Sequence, residues 1–240
     1  ILGESLGRIG RLEEFEAVAQ TATGLFPDDA ELHFNHAMAL QGLERIIEAE
    51  ISYTRAIELS ADYAEAYLRL GNLFQSRGRF SEALDVYSKA ISLKISVHDL
   101  YYQLGYVQRQ LERLDDAEAT LLHAIDFENY SGIRMHIELG SVFLDQGRYL
   151  ESISEFKKGL AFEFQDLEAS NEPFIFNAYH QMGIAFYKLG QFASTISSCR
   201  EALVYSPKSA ITYDLMGLAL NSQVMIGEAI ESRSEEHTSE

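Results

Sequence analysis

Two histidines, His33 and His36, stand three residues apart in "ELHFNHAMAL". That spacing sets two imidazoles on one face of a helix, where they can bind zinc together. A third ligand is missing from the pattern. The other histidines are dispersed, and Cys199 is the single cysteine, which excludes a multi-cysteine zinc site and an internal disulfide framework. Glycines 3, 7 and 10 of "GESLGRIG" do not fit G-x-G-x-x-G, and no strand pattern precedes them. Walker loops, HExxH, EF-hand loops and G-x-S-x-G do not occur in the sequence. The acidic pairs Asp28–Asp29 and Asp115–Asp116 fall at helix starts, where carboxylates cap backbone N–H groups and meet the positive end of the dipole. "NYS", residues 129–131, is a formal glycosylation sequon with meaning only in a secreted eukaryotic protein. No catalytic set emerges, and neither a cofactor nor a metal is expected.

The elements that carry these residues are helical. The chain has 240 residues, 47% of them hydrophobic, with three prolines and no tryptophan. That is ample material for a core. No stretch alternates as a half-buried strand does, and no run approaches the eighteen apolar residues of a membrane span. With 37 acidic residues against 19 basic ones, the formal charge is −18. Nucleic acid and anionic membranes, which need a basic surface, are not the expected partners. A single cysteine fits a reducing compartment such as the cytoplasm, without establishing it.

Small residues punctuate the helices at a fixed period. Gly3, Ala37, Gly71, Gly105, Gly140, Gly183 and Gly217 are separated by 34, 34, 34, 35, 43 and 34 residues. Twelve positions later come Ala49, Ala83, Ala117, Ser152, Thr195 and Ala229, with Phe15 in the first unit. A third series is Ala22, Ala56, Ala90, Ala124, Gly159 and Ala202. Gly10, Gly78, Gly147 and Gly190 break the pattern between the first two series. A repeat of this length indicates stacked helical pairs. Gly71 costs about 1 kcal/mol against Ala in a helix, and the reason to keep it is packing: helices close to about 8–10 Å only where one surface is low. Large residues are expected to fill the gaps, namely Tyr67, Tyr101, Tyr179 and Tyr213 on first helices and Tyr53, Tyr87, Leu121 and Phe156 on second helices. In this register His33 and His36 occupy an aromatic and a Leu site, and Cys199 an aromatic site, so all three are expected to pack inward.

The pattern resembles the tetratricopeptide repeat family. Residues 64–97 supply its aromatic, Leu-Gly, aromatic, Ala, aromatic and Ala signature as Tyr67, Leu70, Gly71, Phe74, Ala83, Tyr87 and Ala90. Pro27 and Pro207 match the terminal proline, which Ala61, Ile95, Asn129 and Phe164 replace elsewhere. The resemblance implies an all-α, right-handed solenoid of antiparallel helix pairs over residues 1–232. Its repeats are placed at 30–63, 64–97, 98–131, 133–166 and 176–209, with partial repeats at 1–29 and 210–232 and an insertion at 167–175.

Both ends are expected to be cut. Ile1 opens the chain within a first helix, so the true N-terminus and any targeting signal are expected to lie upstream. "RSEEHTSE", residues 233–240, resembles a translated sequencing adapter and falls where the last second helix should present an aromatic and then Ala. Native sequence is then expected to end at Ser232. Removing the octapeptide takes away one Arg and three Glu and leaves the chain strongly acidic.

The resemblance also implies a concave groove, lined by first helices, that binds a protein or peptide. Carried over by register, its face includes Phe34, Asn35, Met38 and Gln41; Leu68, Arg69, Asn72 and Gln75; Tyr102, Gln103, Tyr106, Arg109 and Gln110; Arg134, Glu138, Ser141 and Asp145; and His180, Gln181, Tyr187 and Lys188. The expected partner contacts are Asn35, Met38, Arg69, Asn72, Tyr102, Tyr106, Arg109, His180 and Tyr187. Tyr and Arg are frequent interface anchors, and Arg69 or Arg109 suits a carboxylate. Of the Lys and Asn set that holds chaperone C-termini only Arg69 and Asn72 come close. The sixth-site series Asn35, Arg69, Gln103, Glu138, Gln181 and Leu215 lacks the Asn ladder of the O-linked N-acetylglucosamine transferases. The expected function is therefore a protein-interaction scaffold without catalysis of its own. The alternative is the recognition arm of a larger glycosyltransferase, sulfotransferase or methyltransferase. Oligomeric state is left open.

Overall fold

The computed structural model describes residues 11–95, 98–127, 132–161 and 172–238, and only the backbone at 98, 127 and 227–238. Gly3, Gly7, Gly10, the sequon, most of the insertion and the side chains of the adapter-like tail lie outside the described residues. All regular structure among the described residues is α-helical. Two compact units divide at Arg113. The first holds α1 (Leu12–Leu25), α2 (Ala30–Gly42), α3 (Ile46–Leu59), α4 (Ala64–Ser76), α5 (Phe80–Ser92) and α6 (His98–Gln110). The second holds α7 (Leu114–Phe127), α8 (Ile133–Asp145), α9 (Tyr149–Ala161), α10 (Glu172–Lys188), α11 (Phe192–Tyr205) and α12 (Ala210–Thr238).

In the first unit each helix packs on the next in the chain, and α4 also meets α6. The core runs from Phe34 to Val107 around the fully buried Tyr53, Tyr67 and Tyr87. Gly71 is where the Tyr87 ring lies: a methyl group there would come within 2.2 Å of Tyr87 Cε1. The ring sits so low on α4 that its hydroxyl donates to Asn72 Oδ1 at 2.8 Å. One repeat earlier Ala37 already carries a methyl group, and the equivalent Tyr53 donates instead to Gln41 Oε1, also at 2.8 Å. Asp29 caps α2, accepting from the backbone N–H groups of Glu31 and Leu32 at 3.0 and 3.2 Å.

The second unit repeats the device. Phe156 of α9 covers Gly140 of α8, where an added methyl group would meet its ring at 2.7 Å. Cys199 of α11 stands over Gly183 with more room, its Sγ 3.5 Å from the corresponding point. Burial pushes the Cys199 thiol up to about 11, which keeps it protonated and unreactive at neutral pH. His136 takes the place of an aromatic and is buried with its Nδ1 2.8 Å from Glu155 Oε2, while Lys158 donates to the other carboxylate oxygen at 2.6 Å. Burial would raise the Glu155 carboxyl, but these two hydrogen bonds outweigh it and hold the group below its ordinary value.

A left-handed residue closes the turn between the helices of each pair: Glu44, Gly78, Glu112, Gly147 and Gly190, with φ between 58° and 77°. The next residue's N–H reaches back five positions, as from Arg79 to Phe74 O at 2.9 Å, which closes a Schellman turn. The last repeat departs from the expected pair. The same register position there is Val224, a β-branched residue for which positive φ is an outlier, and α12 runs through it as one helix of 29 residues. Tyr213, expected to fill a gap, is 50% exposed, because no second helix among the described residues folds back over it.

Candidate partner-binding surface

In the first unit, the sequence-assigned contacts lie on three first helices: Asn35 and Met38 on α2, Arg69 and Asn72 on α4, and Tyr102, Tyr106 and Arg109 on α6. A hydrogen bond of 3.0 Å from Gln75 Nε2 to Gln103 Oε1 ties α4 to α6 in the middle of this set. With its carbonyl taken by Tyr87, Asn72 presents its amide nitrogen as a donor. Arg69 is exposed and paired with Glu65, one turn earlier, at 2.9 Å. The Arg109 guanidinium lies 5.8 Å from the Tyr106 ring centroid, within the range of a cation–π contact. Asn35, Tyr102 and Tyr106 are partly buried, and Met38 leans on the core. The surface combines amide donors and acceptors with aromatic area and paired cations.

His180 and Tyr187 belong to the second unit, on α10. His180 Nδ1 lies 3.0 Å from the hydroxyl of the buried Thr212, and its ring stacks on Phe176 at 5.8 Å. Burial lowers the His180 pKa, so the imidazole is neutral at pH 7. Tyr187 tilts against Phe192 at 5.6 Å. Both side chains thus brace their own unit as well as facing solvent.

Four residues assigned to the exposed face are buried instead. Phe34 packs between Tyr53 and Tyr63, and Leu68 joins the same core. Glu138 and Ser141 of α8 are 4% and 1% exposed, and Ser141 donates to Ile137 O at 2.9 Å. A register borrowed from one helix face does not see how far the neighbouring helices cover it. The histidine pair, expected to pack inward, is only partly buried. His33 Nε2 lies 2.9 Å from Pro27 O, and His36 sits between Glu16 and Ser52. No cluster able to hold a metal ion occurs among the described residues, and no described helix is long and apolar enough to cross a membrane.

A set of arginines went unread in the sequence. Arg45, Arg79 and Arg148 each precede a second helix and fork onto the glutamate three residues on: Glu48, Glu82 and Glu151. Each also reaches a glutamate on the preceding second helix. Arg45 meets Glu16 at 3.0 Å, while Arg79 meets Glu50 and Arg148 meets Glu118, both at 2.6 Å. Arg79 and Arg148 lie over Phe74 and Phe143 at 4.4 and 4.1 Å. Hydrogen bonds from these arginines hold Glu48, Glu82 and Glu151 below the ordinary carboxylate range. At Glu118 burial pushes the other way and the arginine still prevails. The signal was present as Arg11, Arg45, Arg79, Arg113 and Arg148, which recur at the repeat period.

Comparison with known proteins places this architecture. Sequence profiles described as tetratricopeptide repeat match residues 30–63, 64–94 and 98–129. No curated protein matches the sequence. Among solved structures, YrrB, a tetratricopeptide protein described as having an unusual peptide-binding site, aligns with TM-score 0.62 at 22% identity, over 82% of this chain and 96% of its own. PilW, a type IV pilus biogenesis factor, aligns with TM-score 0.70 at 16% identity, over 90% of this chain and 95% of its own. A tetratricopeptide repeat protein from Parabacteroides merdae aligns with TM-score 0.72 at 19% identity, over 92% of this chain and 84% of its own. With helical pairs closed over small residues at the repeat period and neighbours of the same architecture, the chain is an all-α helical-repeat solenoid, a protein-interaction scaffold that carries tetratricopeptide repeats at residues 30–63, 64–94 and 98–129.

Proposed function

We propose that this scaffold holds an extended peptide segment of a partner protein against the first helices α2, α4 and α6. Asn35, Met38, Arg69, Asn72, Tyr102, Tyr106 and Arg109 make the contacts. His180 and Tyr187 on α10 give the second unit a contact surface of its own. The observation that carries the reading is the amide bridge between Gln75 and Gln103. It fixes two neighbouring first helices and leaves the Gln75 carbonyl and the Gln103 amide nitrogen as one acceptor and one donor, the two groups that a peptide main chain pairs with. Tyr106 under Arg109 adds the large rigid area on which side chains anchor. The peptide-binding site described in YrrB, a protein of the same architecture, supports the same direction. An excess of 18 negative charges favours a protein partner over nucleic acid.

The test is selection of peptides from a displayed random library on the whole chain, followed by affinity measurement on Arg69→Ala and Tyr106→Ala. Each substitution is expected to weaken the selected peptides about tenfold or more, the effect of an anchor worth about 1.4 kcal/mol. Unchanged affinity in both variants removes this patch as the contact surface.

A further inference from the structure

Two core tyrosines reach through their helix pairs to side chains of the first helices. Tyr53 and Tyr87 are fully buried, and burial pushes both phenols well above their ordinary value. Each hydroxyl therefore keeps its proton and has to donate it. The Tyr87 hydroxyl donates to Asn72 Oδ1 and the Tyr53 hydroxyl to Gln41 Oε1, both at 2.8 Å. Neither phenol makes another hydrogen bond among the described residues. Turning either amide over would set its NH2 against the phenol oxygen and leave a buried O–H without an acceptor, which is costly. The phenol thus fixes which end of the amide stays available. Asn72 and Gln41 are partly buried, and their amide nitrogens have no protein partner among the described residues and are not shut off from solvent. The sequence couples the two features. Where a second helix carries Tyr53 or Tyr87, the first helix of that repeat has an amide, Gln41 or Asn72, at its twelfth or ninth site. In the three repeats that follow, Leu121, Phe156 and Cys199 take the place of the tyrosine, and neither site carries an amide.

We infer, resting on the reading of this face as a peptide groove, that Tyr53 and Tyr87 are positioning residues for partner binding. Their hydroxyls hold Gln41 and Asn72 as donors only, so both sites take a main-chain carbonyl of the partner segment and reject an N–H. The Gln103 amide nitrogen, whose carbonyl is held by Gln75, is a third donor of the same kind. The nearby Arg69 is already paired with Glu65, and the chain carries a formal charge of −18. A neutral carbonyl therefore suits these donors better than a carboxylate. The first helices of this unit are matched to a segment that turns carbonyls toward them.

The test uses the peptides selected on the whole chain, with affinity and helicity measured for each variant. Tyr87→Phe keeps the ring and removes the hydroxyl. It should weaken binding about threefold to tenfold, the effect of one misplaced neutral hydrogen bond. Asn72→Ala should do the same, and Tyr87→Phe should then add nothing to it. Asn72→Asp still accepts from Tyr87 but has no N–H, so it should bind as weakly as Asn72→Ala with its helicity intact. Tyr53→Phe and Gln41→Ala should behave as a second such pair. Replacing the peptide's carbonyls by methylene, one at a time, should find a position whose loss weakens binding to the wild type but not to Asn72→Ala. Full affinity in Tyr87→Phe or Asn72→Asp, where Arg69→Ala and Tyr106→Ala do weaken binding, overturns this inference and leaves the groove reading standing. Unchanged affinity in Arg69→Ala and Tyr106→Ala overturns both. Additive losses from Tyr87→Phe and Asn72→Ala would make the tyrosine a packing residue only. If Asn72→Ala cancels the loss of an acidic peptide side chain in place of a carbonyl, the main-chain assignment falls.

Discussion

Gly71 and Gly24 are both helical glycines, each costing up to about 1 kcal/mol in propensity against Ala, and they should answer the same substitution with opposite signs. At Gly24 an added methyl group meets nothing within 4 Å. Gly24→Ala is therefore expected to stabilise by up to about 1 kcal/mol in urea unfolding. At Gly71 the Tyr87 ring would have to move from a 2.2 Å approach, and its hydrogen bond to Asn72 would be lost with it. Gly71→Ala should destabilise by about 1–3 kcal/mol despite the better propensity, the range for overpacking. Equal effects at the two sites would mean that the small residue is not kept for the ring. Tyr87 itself was legible from the sequence as a gap filler, because an aromatic and a glycine recur together. The hydrogen bond to Asn72 was not, since it follows from how deep the ring sinks.

The helix pairs depend on two devices at their turns, and each can be probed. Glu112 adopts φ 58° without being glycine. Left-handed backbone costs an ordinary residue about 1–2 kcal/mol, so Glu112→Gly is expected to raise stability by about 1 kcal/mol, read as a shift in the urea midpoint. The second device is the arginine that joins successive second helices. Its glutamates are depressed below their ordinary values when folded, so their stabilisation is full above the unfolded carboxylate value of about 4.3. It is lost as pH falls through that value and through the lower folded ones. Melting temperature should hold steady from pH 7 to 5 and drop below pH 4. Arg79→Gln, which removes one rung with Glu50 and Glu82, should lower the neutral-pH value and flatten the acid decline. An acid decline of the same depth in the variant would place the titration elsewhere. Glu44 and Glu112 escaped the sequence reading because a charged residue carries no mark of its φ. The rungs escaped because each acceptor lies 29 or 30 residues before its arginine, on another helix.

At the scale of the molecule, the repeat period was the most legible feature, since Gly and Ala mark every crossing of a helix pair. The continuous α12 was legible only through an absence, a missing glycine or other left-handed residue at Val224. Register placed Arg69, Asn72, Tyr102, Tyr106 and Arg109 on first helices of one unit. It misjudged Phe34, Leu68, Glu138 and Ser141, whose burial depends on neighbours that the pattern does not weigh. What the surface binds is the central claim, and amide proton–nitrogen shift mapping of the chain with a selected peptide tests it most directly. The largest shifts are expected on α4 and α6, around Arg69, Asn72, Gln103 and Tyr106. Shifts concentrated instead on the exposed outer residues of α3, such as Ile47 and Ile51, would contradict the account.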